Sequence, residues 1–452
     1  MQPYLPPEHQ LLISLAKSEI WPEAFLGQNS FLLSNEQINS CLADLEPSGW
    51  NHLFLLAAQQ GLLAIVWDAL QKLMGEGLSG QGFSGQGLKG QGLKGQGLTG
   101  RNVTGQEETG LGIPRALKIR WELSVRHIGE IHRRQRLVLK ELAEVFAREG
   151  IRVMLLKGLG LAEMYPRPEH RESGDLDIYL FGDFEKGNKV IGDLGIEVEY
   201  DGTKHSKFYY KGIPVENHRN FLNVSYTRVD KILEEHLSQI LSESDNWKLL
   251  AEESKGAAVL VPPVDFHFLF LVRHTVTHFL SSGIVLRHLY DFGIFLSRYE
   301  DQIDFPRLEP VLKESGQFRL YEIFLNVAHI YLGMPALKRN LPLEQVYDEV
   351  MKLHAVTEAR IRNRDLPLEW EYGEVLQVER VILDILDNPW DRRYIDRVMT
   401  KSLPVRKFYG AVRMFRSRWK YDLAEKHAFR RRFHGAVKNA VQLFFRKNQQ
   451  YI

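Results

Sequence analysis

The sequence predicts an α+β protein, a small α/β domain embedded between an N-terminal helical segment and a C-terminal all-helical region. Three observations carry this. The first 74 residues repeat apolar side chains at helical spacing. Five short β-type runs cluster between Val153 and His218. Beyond Asp230 the pattern turns almost wholly helical again.

Taken in order, Trp50, Leu53, Leu56, Ala57, Leu63, Val66, Trp67 and Leu70 give the N-terminal segment (1–74) its apolar face. A pentapeptide repeat follows, GQGFS-GQGLK-GQGLK-GQGLT from Gly80 to Thr99, with degenerate flanks over 75–112. So much glycine has little to bury and much backbone entropy to lose, which predicts a disordered linker. A long helix is expected over Arg115–Arg148, with Pro114 at its start and Gly150 just past its end. Strands are expected at Val153–Leu156, Leu176–Phe181, Ile196–Tyr200, Phe208–Lys211 and Ile213–His218, with a helix over Phe184–Leu194. Lys211-Gly212 reads as a tight hairpin turn. These elements make a domain over 113–228. A helical region (229–400) and a basic helical tail (401–452) complete the chain, with breaks near Gly283, Pro306, Gly316 and Pro335 and at later prolines.

Composition narrows the classes. Of 452 residues, 44% are hydrophobic and 25% charged, and the formal net charge is +1. Cys41 is the only cysteine, so neither a disulfide framework nor a thiolate metal site is available. The N-terminus lacks a basic start and an apolar h-region. No apolar run nears the roughly 20 residues that span a bilayer. The expectation is a cytoplasmic protein. After Lys401 the acids are only Asp422 and Glu425, so this tail is strongly basic; the expectation is a solvated helix pair docked on the acidic body, with contact to an anionic partner as the alternative.

The chemistry concentrates in Met154–Leu180, MLLKGLGLAEMYPRPEHRESGDLDIYL. An apolar strand runs into a Gly-rich turn and a short helix, and a second strand carries Asp175 and Asp177. Alternation puts both aspartates on one face while Leu176 and Ile178 enter the core. Two adjacent carboxylates repel unless a cation lies between them, and Mg²⁺ accepts that ligand set together with substrate phosphates. The Gly158 turn presents backbone N–H groups to an anion. A phosphate cradle beside a carboxylate pair implies phosphoryl or nucleotidyl transfer. A two-metal centre calls for a third acid. Glu216 in GIPVENH is the preferred candidate, with Glu197, Glu199 and Asp201 as competitors.

Leu156-Lys157-Gly158, Arg171, Asp175-Leu176-Asp177 and Val215-Glu216-Asn217-His218 together resemble the bacterial putative nucleotidyltransferases of the DNA polymerase beta-like superfamily. The resemblance covers about Arg115–Phe221 and extends loosely to His274, His278, Arg287 and Asp291. It implies a mixed sheet flanked by helices, Mg²⁺ (two ions, with Mn²⁺ as a substitute), a nucleoside triphosphate, and nucleotidyl transfer to an acceptor. Asp175, Asp177 and Glu216 would be catalytic metal ligands. Lys157, Gly158, Gly160 and Arg171 would serve the nucleotide. The sequence departs from the commoner Gly-Gly or Gly-Ser turn by placing Leu159 after Gly158. The acceptor is open among a sugar or glycan precursor, a small molecule, a protein and an RNA end.

Several residues carry competing readings. Arg171 either neutralises phosphate, pairs with the aspartates or makes an ordinary surface salt bridge. Arg287 and Asp291 are spaced for an intrahelical pair, and His267, His274 and His278 for one helix face. Arg273 and His278 match the Arg-x4-His pattern of HEPN-type ribonucleases. The rival functions are therefore a non-catalytic nucleotide- or RNA-binding module and an antitoxin or HEPN-RNase-like component.

Overall fold

The computed structural model describes residues 7–22, 32–75, 111–201, 204–224, 228–244, 248–252, 257–280, 284–315 and 317–338. Most of the Gly-rich repeat, the helices expected beyond residue 338 and the basic tail lie outside the described residues.

Four helices form the N-terminal layer, α1 (Pro7–Ile20), α2 (Asn35–Ala43), α3 (Pro47–Gln59) and α4 (Leu63–Leu73). Helix α5 spans Arg115–Arg148, the expected bounds. Gly150 ends it at φ +69°, so the N–H groups of Gly150 and Ile151 reach back to the Ala147 and Phe146 carbonyls. Trp121 of α5 packs against Phe54 and Trp67 and donates its indole N–H to the Leu63 carbonyl at 3.0 Å. That buried bond docks the long helix on the N-terminal layer.

Next come β1 (Val153–Leu155), the four-residue α6 (Leu159–Ala162), a 3-10 turn (Pro168–His170), β2 (Leu176–Tyr179) and α7 (Phe184–Asp193). Strands β3 (Glu199–Asp201), β4 (His205–Tyr210) and β5 (Ile213–His218) follow. Lys211 and Gly212, at φ +50° and +78°, make the turn between β4 and β5.

After α8 (Arg228–Glu243), the wholly helical expectation misses a feature. Strands β6 (Lys248–Glu252) and β7 (Ala258–Val261) join the sheet, β7 running parallel to β1. Both are short runs whose place depends on β1 offering an edge, which no local pattern reports. Helices α9 (Val264–Leu280), α10 (Leu286–Tyr299), α11 (Phe305–Glu314) and α12 (Phe318–Ile330) complete the described chain.

Among the described residues the strands form a seven-stranded mixed sheet of order β3-β4-β5-β2-β1-β7-β6. One face is closed by α5 and α7: Val138, Leu142 and Phe146 of α5 and Ile191 of α7 share a core with Leu176, Ile178, Val215 and Phe208. Met154, Leu156 and Leu260 belong to a second, larger core built with the N-terminal and C-terminal helices. The sheet is thus held between two apolar layers. Among the described residues, no helix is long and apolar enough to cross a membrane.

Candidate active site

Strand register assembles the carboxylates. β2 and β5 are parallel neighbours, and Asp177 stands directly opposite Glu216. Directly paired residues project to the same face, so Leu176, Ile178 and Val215 fill the core behind while the acids face away from it. Asp175 precedes β2 by one residue and shares that face by alternation. Ligand oxygens of Asp175, Asp177 and Glu216 all lie within 4.8 Å of one another. Of the competing acids, Glu199 and Asp201 sit on β3, two strands beyond β5 at about 5 Å per strand, and Glu197 lies before β3.

Cations and imidazoles surround the acids. Lys157 Nζ lies 3.1 Å from Asp177 Oδ1, and His218 Nε2 lies 3.1 Å from the same oxygen. His218 Nε2 and His205 Nε2 each stand 3.7 Å from a Glu216 oxygen. Burial pushes Asp177 up, but Lys157 and His218 outweigh it and hold the carboxyl well below the usual range. Burial likewise opposes Glu216, whose neighbouring imidazoles bring it down to about 2. Asp175 moves the other way, raised by burial and by the Asp177 charge. Burial and the Lys157 charge lower Lys204, which places a second ammonium beside the same acids.

Gly158 adopts φ +68°, ψ −111°, a conformation closed to L side chains, and a Cβ there would come within 3.1 Å of Ser173 Oγ. The helix behind it, α6, has only four residues, so its dipole adds little. Gly160 packs toward β7, where a Cβ would meet Val261 Cγ1 at 3.5 Å.

Arg171 makes a salt bridge, but a buried one and with neither Asp175 nor Asp177. Its guanidinium is spent on Asp291 of α10, with Nε to Oδ1 at 2.8 Å and Nη2 to Oδ2 at 2.7 Å. Nη1 donates to the Gly158 carbonyl at 3.2 Å, so Arg171 braces the turn from behind. A guanidinium this buried, 5% exposed, needs a fixed carboxylate, and Asp291 meets it bidentately. The intrahelical Arg287–Asp291 pair is accordingly replaced: Tyr165 donates its hydroxyl to Asp291 at 2.8 Å, and Arg287 donates to the Glu172 carbonyl.

The histidines also regroup. His274 and His278 meet His288 of α10, with ring nitrogens within 4.8 Å, whereas His267 packs on Phe295. Burial and nearby cations push His274 and His288 well below the ordinary imidazole range. Arg273, half of the Arg-x4-His pattern, is buried in an ion pair with Asp230 at 2.7 Å. Sequence reasoning gave no role to Lys204, His205, His218 or His288. For His218 a signal existed, because it lies two residues after Glu216 on the same strand face; the others depend on strand pairing and helix packing.

A family model described as uncharacterised nucleotidyltransferase matches residues 46–333, more than half of the chain. The protein belongs to this nucleotidyltransferase family. The match spans the N-terminal helices from α3, the whole sheet and the helices through α12, so the family unit is the assembly around the carboxylates rather than the sheet alone. No curated protein and no solved structure matches the chain.

Proposed function

We propose that this nucleotidyltransferase family member moves a nucleoside monophosphate from a nucleoside triphosphate to a hydroxyl acceptor in a divalent-metal-dependent reaction. One observation carries the reading: Asp175, Asp177 and Glu216 converge within 4.8 Å, and Asp177 Oδ2 is buried with no hydrogen-bond partner. A buried carboxylate oxygen left unsatisfied is costly, and a hard cation satisfies it. The three acids would hold Mg²⁺ or Mn²⁺. Such an ion, when bound, neutralises triphosphate charge and lowers the pKa of the acceptor hydroxyl.

The protein's own groups do the rest. Lys157 and Lys204 stand beside the acids with ammonium groups to offer phosphate oxygens. Gly158 lets the backbone approach the triphosphate, and the Arg171–Asp291 pair fixes that turn. Glu216 is less buried than Asp177 (side-chain exposure 16% against 1%) and completes the metal-binding set in this reading.

The test is incubation with α-labelled triphosphates, Mg²⁺ and a cell extract. The expected result is a labelled acceptor with release of pyrophosphate. Asp175→Ala and Asp177→Ala should each lower turnover by more than about 100-fold, since even second-shell losses at metal sites reach that range. Unchanged turnover in both folded variants would refute the assignment. Triphosphate binding without transfer to any acceptor would favour a non-catalytic nucleotide-binding module.

A further inference from the structure

Behind Glu216, on the side away from Asp175, the sheet gathers a second kind of donor. His205 on β4 and His218 on β5 are register partners, with ring centroids 5.3 Å apart. Their Nε2 atoms flank the Glu216 carboxylate, His205 at 3.7 Å from Oε1 and His218 at 3.7 Å from Oε2. At that separation neither contact is a hydrogen bond. It does leave room for an ion bonding nitrogen and oxygen at about 2.0–2.2 Å on each side. The donor atoms of all three residues lie within 4.8 Å of one another, and the three side chains are 13%, 16% and 0% exposed.

We propose that His205, Glu216 and His218 form a second metal site, which takes a divalent first-row transition ion through two imidazole nitrogens and one carboxylate. The donor set decides the class of ion. Mg²⁺ demands oxygen ligands and dehydrates reluctantly, whereas imidazole suits the later first-row ions such as Zn²⁺, Cu²⁺ and Ni²⁺. Glu216 then bridges this nitrogen-bearing site and the oxygen-only cluster of Asp175 and Asp177. The ion fixes the orientation of Glu216 toward Asp177, its partner across the strand pair. To bind, His218 Nε2 exchanges its contact with Asp177 Oδ1 for the metal bond, and any proton it carries leaves to solvent. Asp177 Oδ1 is thereby released toward the oxygen cluster. The proposal rests on the metal-dependent reading only through the shared Glu216.

Metal-free full-length protein is titrated with Cu²⁺, an ion suited to imidazole, and examined by pulsed EPR for ¹⁴N coupling. The expected result is at least about tenfold tighter binding of Cu²⁺ than of Mg²⁺, with imidazole nitrogen coupling that survives in His288→Gln, where the separate His274, His278 and His288 cluster is broken. His205→Gln should weaken Cu²⁺ binding by about tenfold or more and change Mg²⁺ binding by less than about twofold. No nitrogen coupling in folded His288→Gln, no Cu²⁺ binding, or an unchanged Cu²⁺ affinity in folded His205→Gln would each overturn the proposal. His218→Gln, read in the same way, replaces His205→Gln if that variant fails to fold. Asp175→Ala separates the two readings, because it should abolish transfer while keeping the nitrogen coupling. Transfer without that coupling removes this second site alone. Coupling without transfer in the wild-type protein removes the enzymatic reading alone.

Discussion

Gly158 and Asp177 show how single positions set the chemistry. The turn at Gly158 requires φ +68°, and an added Cβ would press on Ser173 Oγ at 3.1 Å. Gly158→Ala should therefore destabilise the protein by about 1 kcal/mol or more. If the proposed function holds, it should also raise KM for the triphosphate, because the backbone proposed to meet the phosphates must shift. Steady-state kinetics beside a denaturant titration check both, and an unaltered KM would detach Gly158 from the nucleotide. Asp177 is set by surroundings rather than by conformation. It is 1% exposed yet held ionised by Lys157 and His218, so its charge is available without solvent.

At the scale of elements, the link from β5 into α8 carries a titrating group. Glu234 of α8 accepts the Phe221 and Leu222 N–H groups at 3.0 and 2.8 Å, tying the segment after His218 to the helix. Burial raises its carboxyl to about 7 despite those bonds. In the unfolded chain the same group titrates near about 4.3. With the folded value above the unfolded one, its contribution is fully present below about pH 4.3 and lost as pH rises through about 7, by at most about 4 kcal/mol. Stability of wild type and Glu234→Gln measured from pH 4 to pH 8 (~4–8, bracketing the window) should converge or cross in that interval. Parallel curves would show that Glu234 titrates normally. The sheet makes a complementary point: β7 completes the neighbourhood of β1, so the segment after α8 belongs to the structure that presents the acids.

Across the whole molecule, the polar loop between α6 and β2 is fastened from both sides. Asp68 of α4 receives Arg167 at 2.7 Å and meets His170 at 2.6 Å, while Asp291 of α10 receives Arg171. N-terminal and C-terminal helices thereby grip the one segment that leads into Asp175. The Arg171–Asp291 pair is buried on both sides, with side chains 6% and 5% exposed. Removing one partner leaves an uncompensated buried charge, so Arg171→Ala should cost about 3–5 kcal/mol. In a double-mutant cycle by chemical denaturation, Asp291→Ala added to Arg171→Ala should cost much less than either alone. Additive losses would mean the two side chains act independently. The same pair should matter to kinetics, since it holds the Gly158 carbonyl.

Local pattern fixed much of this. The bounds of α5 and β5, the turn at Lys211-Gly212, the start of α7 at Phe184 and the shared face of Asp175 and Asp177 follow from periodicity, capping and turn chemistry, all properties of neighbouring residues. Pairing was beyond its reach. That Glu216 lies opposite Asp177, that His205 lies opposite His218, that β6 and β7 join the sheet and that Arg171 is claimed by Asp291 are contacts between distant segments. They are selected by which surfaces can be buried together and which buried charges can find partners, a balance struck only when the whole chain packs.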